Sequence, residues 1–181
     1  MTHDHHAHDA ATVGVAVLTV SSSRESESDD SGDAIASAIE DAGHTVATRD
    51  LVTDDEETIR GRVGDLAARS EVDAVVTTGG TGITDDDVTV EAVSPLFDRE
   101  IPGFGEQFRA RSVEEVGPHA MLSRATAGTT DGVGVFCLPG SENGARFGTE
   151  ELIVPVIGHV AGLLSGDNQD HDHHGHEETH D

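Results

Sequence analysis

The stretch VDAVVTTGGTG, residues 72–82, joins an apolar run to a glycine-rich loop. Val72–Thr77 has the length and β-branched composition of a buried strand, and Gly79, Gly80 and Gly82 follow it directly. Glycines after a strand let the backbone turn tightly and approach a ligand, and their exposed N–H groups can hold phosphate. The loop is not a Walker A loop, because that loop requires a Lys and this chain has none, and it is not a Gly-x-Gly-x-x-Gly fingerprint.

Strands and helices alternate on both sides of this loop. Strands are predicted at Val13–Thr19, His44–Leu51, Val72–Thr77 and Val133–Leu138, and helices at Ser31–Ala42, Asp54–Arg69, Thr89–Val93, Gly105–Val116 and Ala145–Leu164. We expect Ser31 to cap the first helix, Gly43 to end it, and Pro155 to break the last one. The alternation predicts an α/β fold, a three-layer sandwich with a mostly parallel central sheet and helices on both faces.

The chain is strongly acidic, with 36 Asp and Glu against 10 Lys and Arg and a formal net charge of −26 at pH 7. Such a composition can indicate disorder, but apolar runs such as Val13–Val20 and Leu152–Val156 supply a core. We therefore predict a folded, halophilic protein, because at roughly 1 M salt the Debye length falls to about 3 Å and surface self-repulsion is screened. This surface charge argues against nucleic-acid binding, which requires Lys and Arg patches.

A single cysteine, Cys137, excludes an internal disulfide and a zinc site built from paired cysteines. Because it lies in an apolar run, we interpret it as a buried core residue. The N-terminus lacks the basic and then apolar pattern of a secretory leader. The longest apolar stretch, Leu152–Leu164, is too short to span a membrane. We therefore expect a cytoplasmic protein without a membrane partner.

Both ends of the chain are rich in histidine and carboxylates, and nine of the twelve histidines lie there. We predict disordered tails at residues 1–11 and 166–181 on either side of one domain at residues 12–165. Two interpretations of the tails stay open. Their His and carboxylate clusters can bind divalent metal, or the tails are solvated segments with no essential role.

Polar or glycine-rich segments follow four of the predicted strands, where ligands collect in parallel sheets. The segments include Thr19-Val20-Ser21, Thr53-Asp54, the glycine loop, and Pro139-Gly140-Ser141. Asp85, Asp86 and Asp87 come shortly after the glycine loop. A carboxylate beside bound phosphate requires a cation such as Mg²⁺ between the like charges. We interpret Asp85 and Asp86 as solvated surface acids and keep Asp87 as the candidate.

Five segments carry a specific resemblance when they are taken in order. They are Thr77-Thr78-Gly79-Gly80-Thr81-Gly82, Asp87-Val88-Thr89, Ile101-Pro102-Gly103-Phe104-Gly105-Glu106, Leu122-Ser123-Arg124 and Leu138-Pro139-Gly140-Ser141. They resemble the MoaB/MogA family, the molybdopterin adenylyltransferases of molybdenum-cofactor or tungsten-cofactor biosynthesis. The resemblance extends from about Val13 to Leu164. It implies an enzyme that uses ATP and Mg²⁺ to place AMP on the terminal phosphate of molybdopterin and releases pyrophosphate.

The resemblance also implies residue roles. Asp87 matches the main catalytic acid and Mg²⁺ ligand, and Asp54 matches the second acid and ligand. Thr53 stands where the family usually has Pro, so Asp54 and Asp55 both stay open as the second acid. Substrate-binding roles fall on Thr19, Ser21, Thr78, Gly79, Gly80, Thr81, Gly82, Glu106, Pro139, Gly140 and Ser141. Glu106 is equally explained as a helix N-terminal acid. Arg124 is the best-placed cation for phosphate, or else a surface ion pair.

The resemblance implies partners as well. Molybdopterin and ATP would be the ligands, other cofactor-assembly proteins such as the molybdate-insertion enzyme would be protein partners, and the chain would form a homotrimer or homohexamer. The sequence does not separate molybdenum from tungsten. Two other functions stay open: a non-catalytic protein that binds or carries molybdopterin, and a metal-handling protein that acts through its tails.

Overall fold

The computed structural model describes residues 9–22 and 28–170, with side chains to residue 166. Residues 1–8 and 171–181, which hold most of the predicted tails, lie outside the described residues. The strands are β1 (Gly14–Val20), β2 (Thr45–Val52), β3 (Ala74–Thr78), β4 (Arg99–Glu100), β5 (Thr126–Thr130) and β6 (Val133–Leu138). The helices are α1 (Asp30–Asp41), α2 (Glu56–Ala67), α3 (Thr89–Val93), α4 (Pro102–Val116), α5 (Glu142–Gly148) and α6 (Val154–Asp170).

The described strands form one six-stranded sheet in the order β2-β1-β3-β6-β5-β4. β1 pairs in parallel with β2 and β3, and β3 pairs in parallel with β6. β5 is antiparallel to both β6 and β4, so one edge of the sheet departs from the parallel arrangement. The predicted α/β fold with a mostly parallel sheet is confirmed. The sequence did not predict β4 or β5.

Alternate strand residues face opposite layers, as the two-residue period of a strand requires. Val15 and Val17 pack with α1, α4 and the segment from α5 to α6, where Phe104 meets Phe136 edge to face with ring centroids 5.4 Å apart. Ala16 and Leu18 pack on the other face with α2 and α3. Because β1 is covered on both faces, its sequence is continuously apolar rather than alternating. The three-layer sandwich is confirmed.

The caps of the first helix differ in part from those expected. Asp29, not Ser31, is the N-cap of α1, and its carboxylate accepts a hydrogen bond from the Gly32 amide at 3.0 Å. The same carboxylate accepts from the Thr19 hydroxyl and pairs with Arg49, so contacts across the fold select Asp29. Gly43 follows the helix with φ +85°, as expected for a C-terminal glycine.

The closing helix is continuous rather than broken at Pro155. A π-helical turn at Thr149–Ile153 lies between α5 and α6, immediately before the proline that cannot donate a backbone hydrogen bond. Helical backbone extends to Asp170, five residues past the predicted domain end at Ser165. At the other end of the chain, the Ala10 amide donates to the Gly158 carbonyl at 2.9 Å, so part of the predicted N-terminal tail lies against α6.

One helical segment of the described chain, the 25 residues Glu142–Gly166, is long and apolar enough to cross a membrane by length and composition alone. This segment is longer than the apolar stretch Leu152–Leu164, from which the sequence analysis expected no membrane span. Ile153, Ile157 and Ala161 of this segment are buried in the core. One face of the segment therefore packs against the core of the domain.

Candidate functional site

Loops after β1, β2, β3 and β6 meet at one edge of the sheet and enclose a cleft of about 460 Å³. The cleft is lined by Val20, Ser21, Ser22, Asp54, Gly79, Gly80, Thr81, Gly82, Asp86, Asp87, Pro139 and Gly140. The four loops come together as predicted, because parallel strands present their carboxyl ends at the same edge. No basic side chain is among these described lining residues.

The glycine loop has a backbone conformation that few other residues can adopt. Gly79 has φ +102° and Gly80 has φ +69°. A Cβ on Gly79 would lie 2.2 Å from the Val20 carbonyl oxygen, and one on Gly80 would lie 2.2 Å from the Thr89 hydroxyl oxygen. Thr89 fixes the loop by donating its hydroxyl to the Gly79 carbonyl at 2.8 Å and its amide to the Gly80 carbonyl at 3.0 Å. Glycine is thus a requirement of this turn.

The loop after β6 packs directly on the glycine loop. The Gly79 amide donates to the Leu138 carbonyl at 3.0 Å, and the buried Thr78 hydroxyl donates to the Pro139 carbonyl at 2.8 Å. The ideal Cβ position on Gly140 lies 3.2 Å from the Gly79 Cα, which leaves little room for a side chain. Thr78 therefore joins two walls of the cleft, and its hydroxyl is engaged within the protein.

Thr81 has unused hydrogen-bonding capacity at the cleft. It is only 1% exposed, and its hydroxyl has no hydrogen-bond partner among the described residues. A buried hydroxyl without a partner costs free energy. The amide groups of Gly80 and Thr81 likewise make no hydrogen bond within the described chain. These groups are therefore available to a ligand oxygen.

Asp87 is held rigidly at the far end of the glycine loop. Its Oδ2 accepts from the Thr84 amide at 2.9 Å and from the Thr84 hydroxyl at 2.7 Å. Partial burial alone would raise the pKa of Asp87, but these bonds, the Gly82 amide and the charge of Arg124 hold that pKa below its usual value. The carboxylate is therefore kept ionised and fixed in place.

Asp54 and Asp55 separate into different roles. Asp55 caps α2, and its Oδ1 accepts from the Thr58 amide at 2.8 Å and the Thr58 hydroxyl at 2.6 Å. Asp54 lines the cleft instead. Burial, followed by repulsion from Asp86 and Asp87, raises the pKa of Asp54. Of the two residues left open by the sequence, Asp54 is the one beside the other cleft carboxylates.

Asp86 is exposed to solvent, in agreement with the interpretation from the sequence, but its place at the cleft was not predicted. Asp86 lines the cleft, and its charge contributes to the raised pKa of Asp54. Asp85 is exposed and does not line the cleft, as expected. The family pattern singles out Asp87, but nothing in the sequence separates Asp85 from Asp86, because the direction of their side chains depends on the path of the backbone after the glycine loop.

Arg124 organises the glycine loop and does not line the cleft. Its Nε donates to the Gly82 carbonyl at 2.7 Å, and its Nη2 donates to the Asp87 carbonyl at 2.8 Å. The same guanidinium pairs with Glu91 of α3, and its hydrogen bonds are the main reason that the pKa of Glu91 is lowered. Arg124 is thus a positioning residue, more specific than a surface ion pair.

Four of the residues matched by resemblance do not line this cleft, and one of them is Thr78, which is fully buried behind it. Thr19 lines a smaller cleft beside it and donates its hydroxyl to Asp29. Ser141 caps α5 by accepting from the Gly144 amide at 3.2 Å and lines a groove that reaches the main cleft at Pro139. Glu106 is exposed on α4 and lines neither cleft nor groove. Their substrate-binding roles stay predictions.

The fold and the cleft define a ligand-binding α/β domain whose glycine loop faces a group of carboxylates. The sequence pattern of the family described as "Probable molybdopterin binding domain" matches residues 16–159. The chain is 46% identical over 145 residues to molybdenum cofactor biosynthesis protein B of Bacillus anthracis, covering 80% of this chain and 86% of the relative. It is 42% identical over 143 residues to the protein of the same name in Escherichia coli K12, covering 79% and 84%.

Solved structures agree with the sequence relatives. A crystal structure of a molybdenum cofactor biosynthesis protein B superposes with a TM-score of 0.82 at 44% identity, covering 86% of this chain and 97% of that one. The tungsten cofactor synthesizing protein MoaB from Pyrococcus furiosus superposes with a TM-score of 0.75 at 41% identity, covering 85% and 98%. The chain belongs to the MoaB/MogA family of molybdopterin-binding domains. Membership places it in molybdenum or tungsten cofactor biosynthesis.

Proposed function

We propose that the protein is a molybdopterin adenylyltransferase, which joins AMP from ATP to the terminal phosphate of molybdopterin. The observation that carries the proposal is the cleft itself. Unpaired backbone amides and the buried Thr81 hydroxyl lie on the same cleft as the carboxylates of Asp54, Asp86 and Asp87. The amide and hydroxyl hydrogen-bond donors suit phosphate oxygens, whereas the carboxylates repel them. A cleft that has both kinds of group therefore favours phosphates bound together with a cation.

The residues of the cleft fit Mg²⁺ held jointly with phosphates. Carboxylate oxygens are hard ligands. Burial, and then repulsion from Asp86 and Asp87, raises the pKa of Asp54, so negative charge is concentrated here. Within the described residues there is no group of three or more His, Cys, Asp or Glu side chains placed to hold an ion by themselves. Mg²⁺ commonly binds through one or two carboxylates plus substrate phosphates, which matches this arrangement. Asp54 and Asp87 would hold it.

The reaction requires mainly that the two reacting phosphates be held in position. A terminal phosphate oxygen of molybdopterin forms a bond to the α-phosphorus of ATP, the bond from that phosphorus to the bridging β-phosphate oxygen breaks, and pyrophosphate leaves with the electron pair. Bound Mg²⁺ would neutralise charge on the phosphates. The attacking phosphate is already ionised at neutral pH, so no strong general base is needed. The chain's own part is to orient both phosphates on the glycine loop and hold Asp87 fixed.

A non-catalytic molybdopterin-binding or carrier protein is the alternative. It is favoured by the absence of a basic side chain among the described residues that line the cleft. Backbone amides and hydroxyls can bind a phosphate without turnover. The two functions differ in what Asp54 and Asp87 do, because a carrier needs neither carboxylate.

Several properties follow from the proposed function and are proposals with it. ATP is the co-substrate and Mg²⁺ the cofactor. The product passes to an enzyme that inserts molybdate or tungstate, and the protein acts in the cytoplasm as a homotrimer or homohexamer. Neither nucleic acid nor membrane is proposed as a partner.

Aspartate-to-asparagine variants test the proposal. Asp87→Asn and Asp54→Asn should retain molybdopterin binding and lose pyrophosphate release by two or more orders of magnitude, roughly the effect of removing a principal electrostatic group. In Asp87→Asn the asparagine side chain retains an oxygen that can accept from Thr84, so the turn should persist. Asp85→Asn, at an exposed position outside the cleft, is the matched control. Wild-type turnover in Asp87→Asn would contradict the role assigned to Asp87, whereas molybdopterin binding without pyrophosphate release in the wild-type protein would favour the carrier function.

A further inference from the structure

The N-terminal end of the described chain lies on α6, beside Gly158 and His159. The Ala10 amide donates to the Gly158 carbonyl at 2.9 Å, and Ala10 packs against the core cluster that includes Ile157. A Cβ on Gly158 would lie 2.9 Å from the Ala10 carbonyl oxygen, so the two backbones approach more closely than a larger residue would allow. These contacts hold Asp9, the residue before Ala10, against the helix.

Asp9 orients the imidazole ring of His159. One carboxylate oxygen of Asp9 lies 2.8 Å from Nδ1 of His159, whose side chain is 42% exposed. An ionised carboxylate can only accept a hydrogen bond, so Nδ1 carries the proton and Nε2 of the neutral ring has a free electron pair. Metal-binding histidines in proteins are commonly supported by a carboxylate in this way. The pair therefore presents one oriented metal ligand at the surface of α6.

The residues that precede Asp9 supply further imidazoles. Four histidines lie within six positions of Asp9 in the sequence: His3, His5, His6 and His8. They lie outside the described residues, but a chain spans at most about 3.3–3.6 Å per residue, so the Cα atom of His6 is within roughly 11 Å of that of Asp9. His159 and two of these histidines would supply three imidazoles, and three imidazoles with a water in the fourth position suit Zn²⁺.

We propose that His159 and the N-terminal histidines form a binding site for a divalent transition-metal ion, with Asp9 as the carboxylate that orients His159. Imidazole nitrogens favour ions such as Zn²⁺, whereas Mg²⁺ takes oxygen ligands, so this site and the cleft differ in the ion that they select. A bound ion would fasten the N-terminal segment to α6. The proposal is independent of the proposed function, because neither His159 nor Asp9 lines the cleft.

The Ala10 amide reports on this site alone, because its hydrogen bond to Gly158 requires the N-terminal segment to lie on α6. Full-length protein freed of metal with EDTA would be titrated with Zn²⁺ in excess Mg²⁺, which competes for the cleft carboxylates, and exchange of this amide would be followed by NMR. Bound Zn²⁺ should slow the exchange. His159→Ala and Asp9→Ala should each raise the Zn²⁺ concentration required by about tenfold or more. His119→Ala, at another exposed histidine, should match wild type.

Paired replacements in the two histidine-rich ends separate this site from metal binding by the C-terminal histidines. His6→Ala combined with His8→Ala should abolish the slowing of exchange by Zn²⁺, whereas His173→Ala combined with His174→Ala should leave it unchanged. Without metal, every variant should melt within about 4 °C of wild type, since an exposed ion pair contributes little to stability. Lost metal binding is thereby distinguished from a lost fold.

Two results would overturn the proposal. One is Zn²⁺ binding that leaves exchange of the Ala10 amide unchanged in wild type, which would show that the histidine-rich ends bind metal without α6. The other is equal slowing of exchange in wild type and in His159→Ala, which would remove His159 from the ligands.

Discussion

Replacing Gly80 with alanine should damage the glycine loop far more than the same change at Gly43. Both glycines have positive φ, +69° and +85°, so alanine is strained at each by about 1–2 kcal/mol. At Gly43 a Cβ meets nothing within 4 Å. At Gly80 the Cβ would lie 2.2 Å from the oxygen of the Thr89 hydroxyl, which donates a hydrogen bond to the Gly79 carbonyl.

The extra cost at Gly80 comes from displacing that buried hydroxyl. Losing its hydrogen bond adds about 1–3 kcal/mol, so Gly80→Ala should destabilise by about 2–5 kcal/mol and Gly43→Ala by about 1–2 kcal/mol. For a chain of this length, each kcal/mol lowers the melting temperature by roughly 2–4 °C. Thermal unfolding of both variants beside wild type in molar KCl measures the difference. Equal melting temperatures for the two variants would refute the packing of Thr89 against the loop.

Three further predictions concern charge. At pH 7, Asp54→Asn should melt slightly higher than wild type and Asp87→Asn slightly lower, because the folded-state pKa is raised for Asp54 and lowered for Asp87. Ionised Asp54 lowers the stability of the fold, and this loss appears as pH rises through its raised pKa. Ionised Asp87 adds stability, which is lost as pH falls through its lowered pKa. Melting curves at pH 3 and pH 7 should therefore show that both variants differ less from wild type in acid. Arg124→Ala should destabilise the protein by about 1–3 kcal/mol, because it leaves the carbonyls of Gly82 and Asp87 without their hydrogen-bond donor. Arg69→Ala is the control: it removes an exposed ion pair with Glu71 and should change stability by less than about 1 kcal/mol. Denaturant titrations measure both changes. The melting temperature of wild type should climb as KCl rises from dilute to molar. Within the described residues seven arginines already pair with carboxylates, and the remaining acids repel one another; a flat or falling curve would reject halophilic adaptation.

The parallel part of the fold could be predicted from the sequence because its strands are continuously apolar and end in glycine or polar loops. β6 and α3 have the predicted bounds. The antiparallel strand β5 was missed because its sequence, TAGTT, is short and its only apolar side chain is that of one alanine. A usable signal lay next to it: Asp131 and Gly132, with φ +49° and +79°, form the tight turn of an Asp-Gly hairpin.

The candidate site was predictable in its loops but not in the direction of every side chain. Gly79, Gly80 and Asp87 could be identified because the turn and the family pattern both single them out. Asp86 and Arg124 could not, since their roles depend on how the segment after the glycine loop folds back. Ser31 was expected at a helix cap, whereas the cap is Asp29, which is selected by Thr19 and Arg49 from distant parts of the sequence.

The most direct test of the central claim is transfer of label from ATP to molybdopterin. Wild-type protein in molar KCl would be incubated with molybdopterin, Mg²⁺ and ATP labelled either at the α-phosphate or at the γ-phosphate, and the pterin product would be separated from pyrophosphate. Adenylyl transfer predicts that the α-label appears in the pterin product and the γ-label in pyrophosphate, in equal amounts. Bound but unlabelled molybdopterin would contradict the enzymatic account in favour of a carrier, and γ-label on the pterin would contradict adenylyl transfer itself.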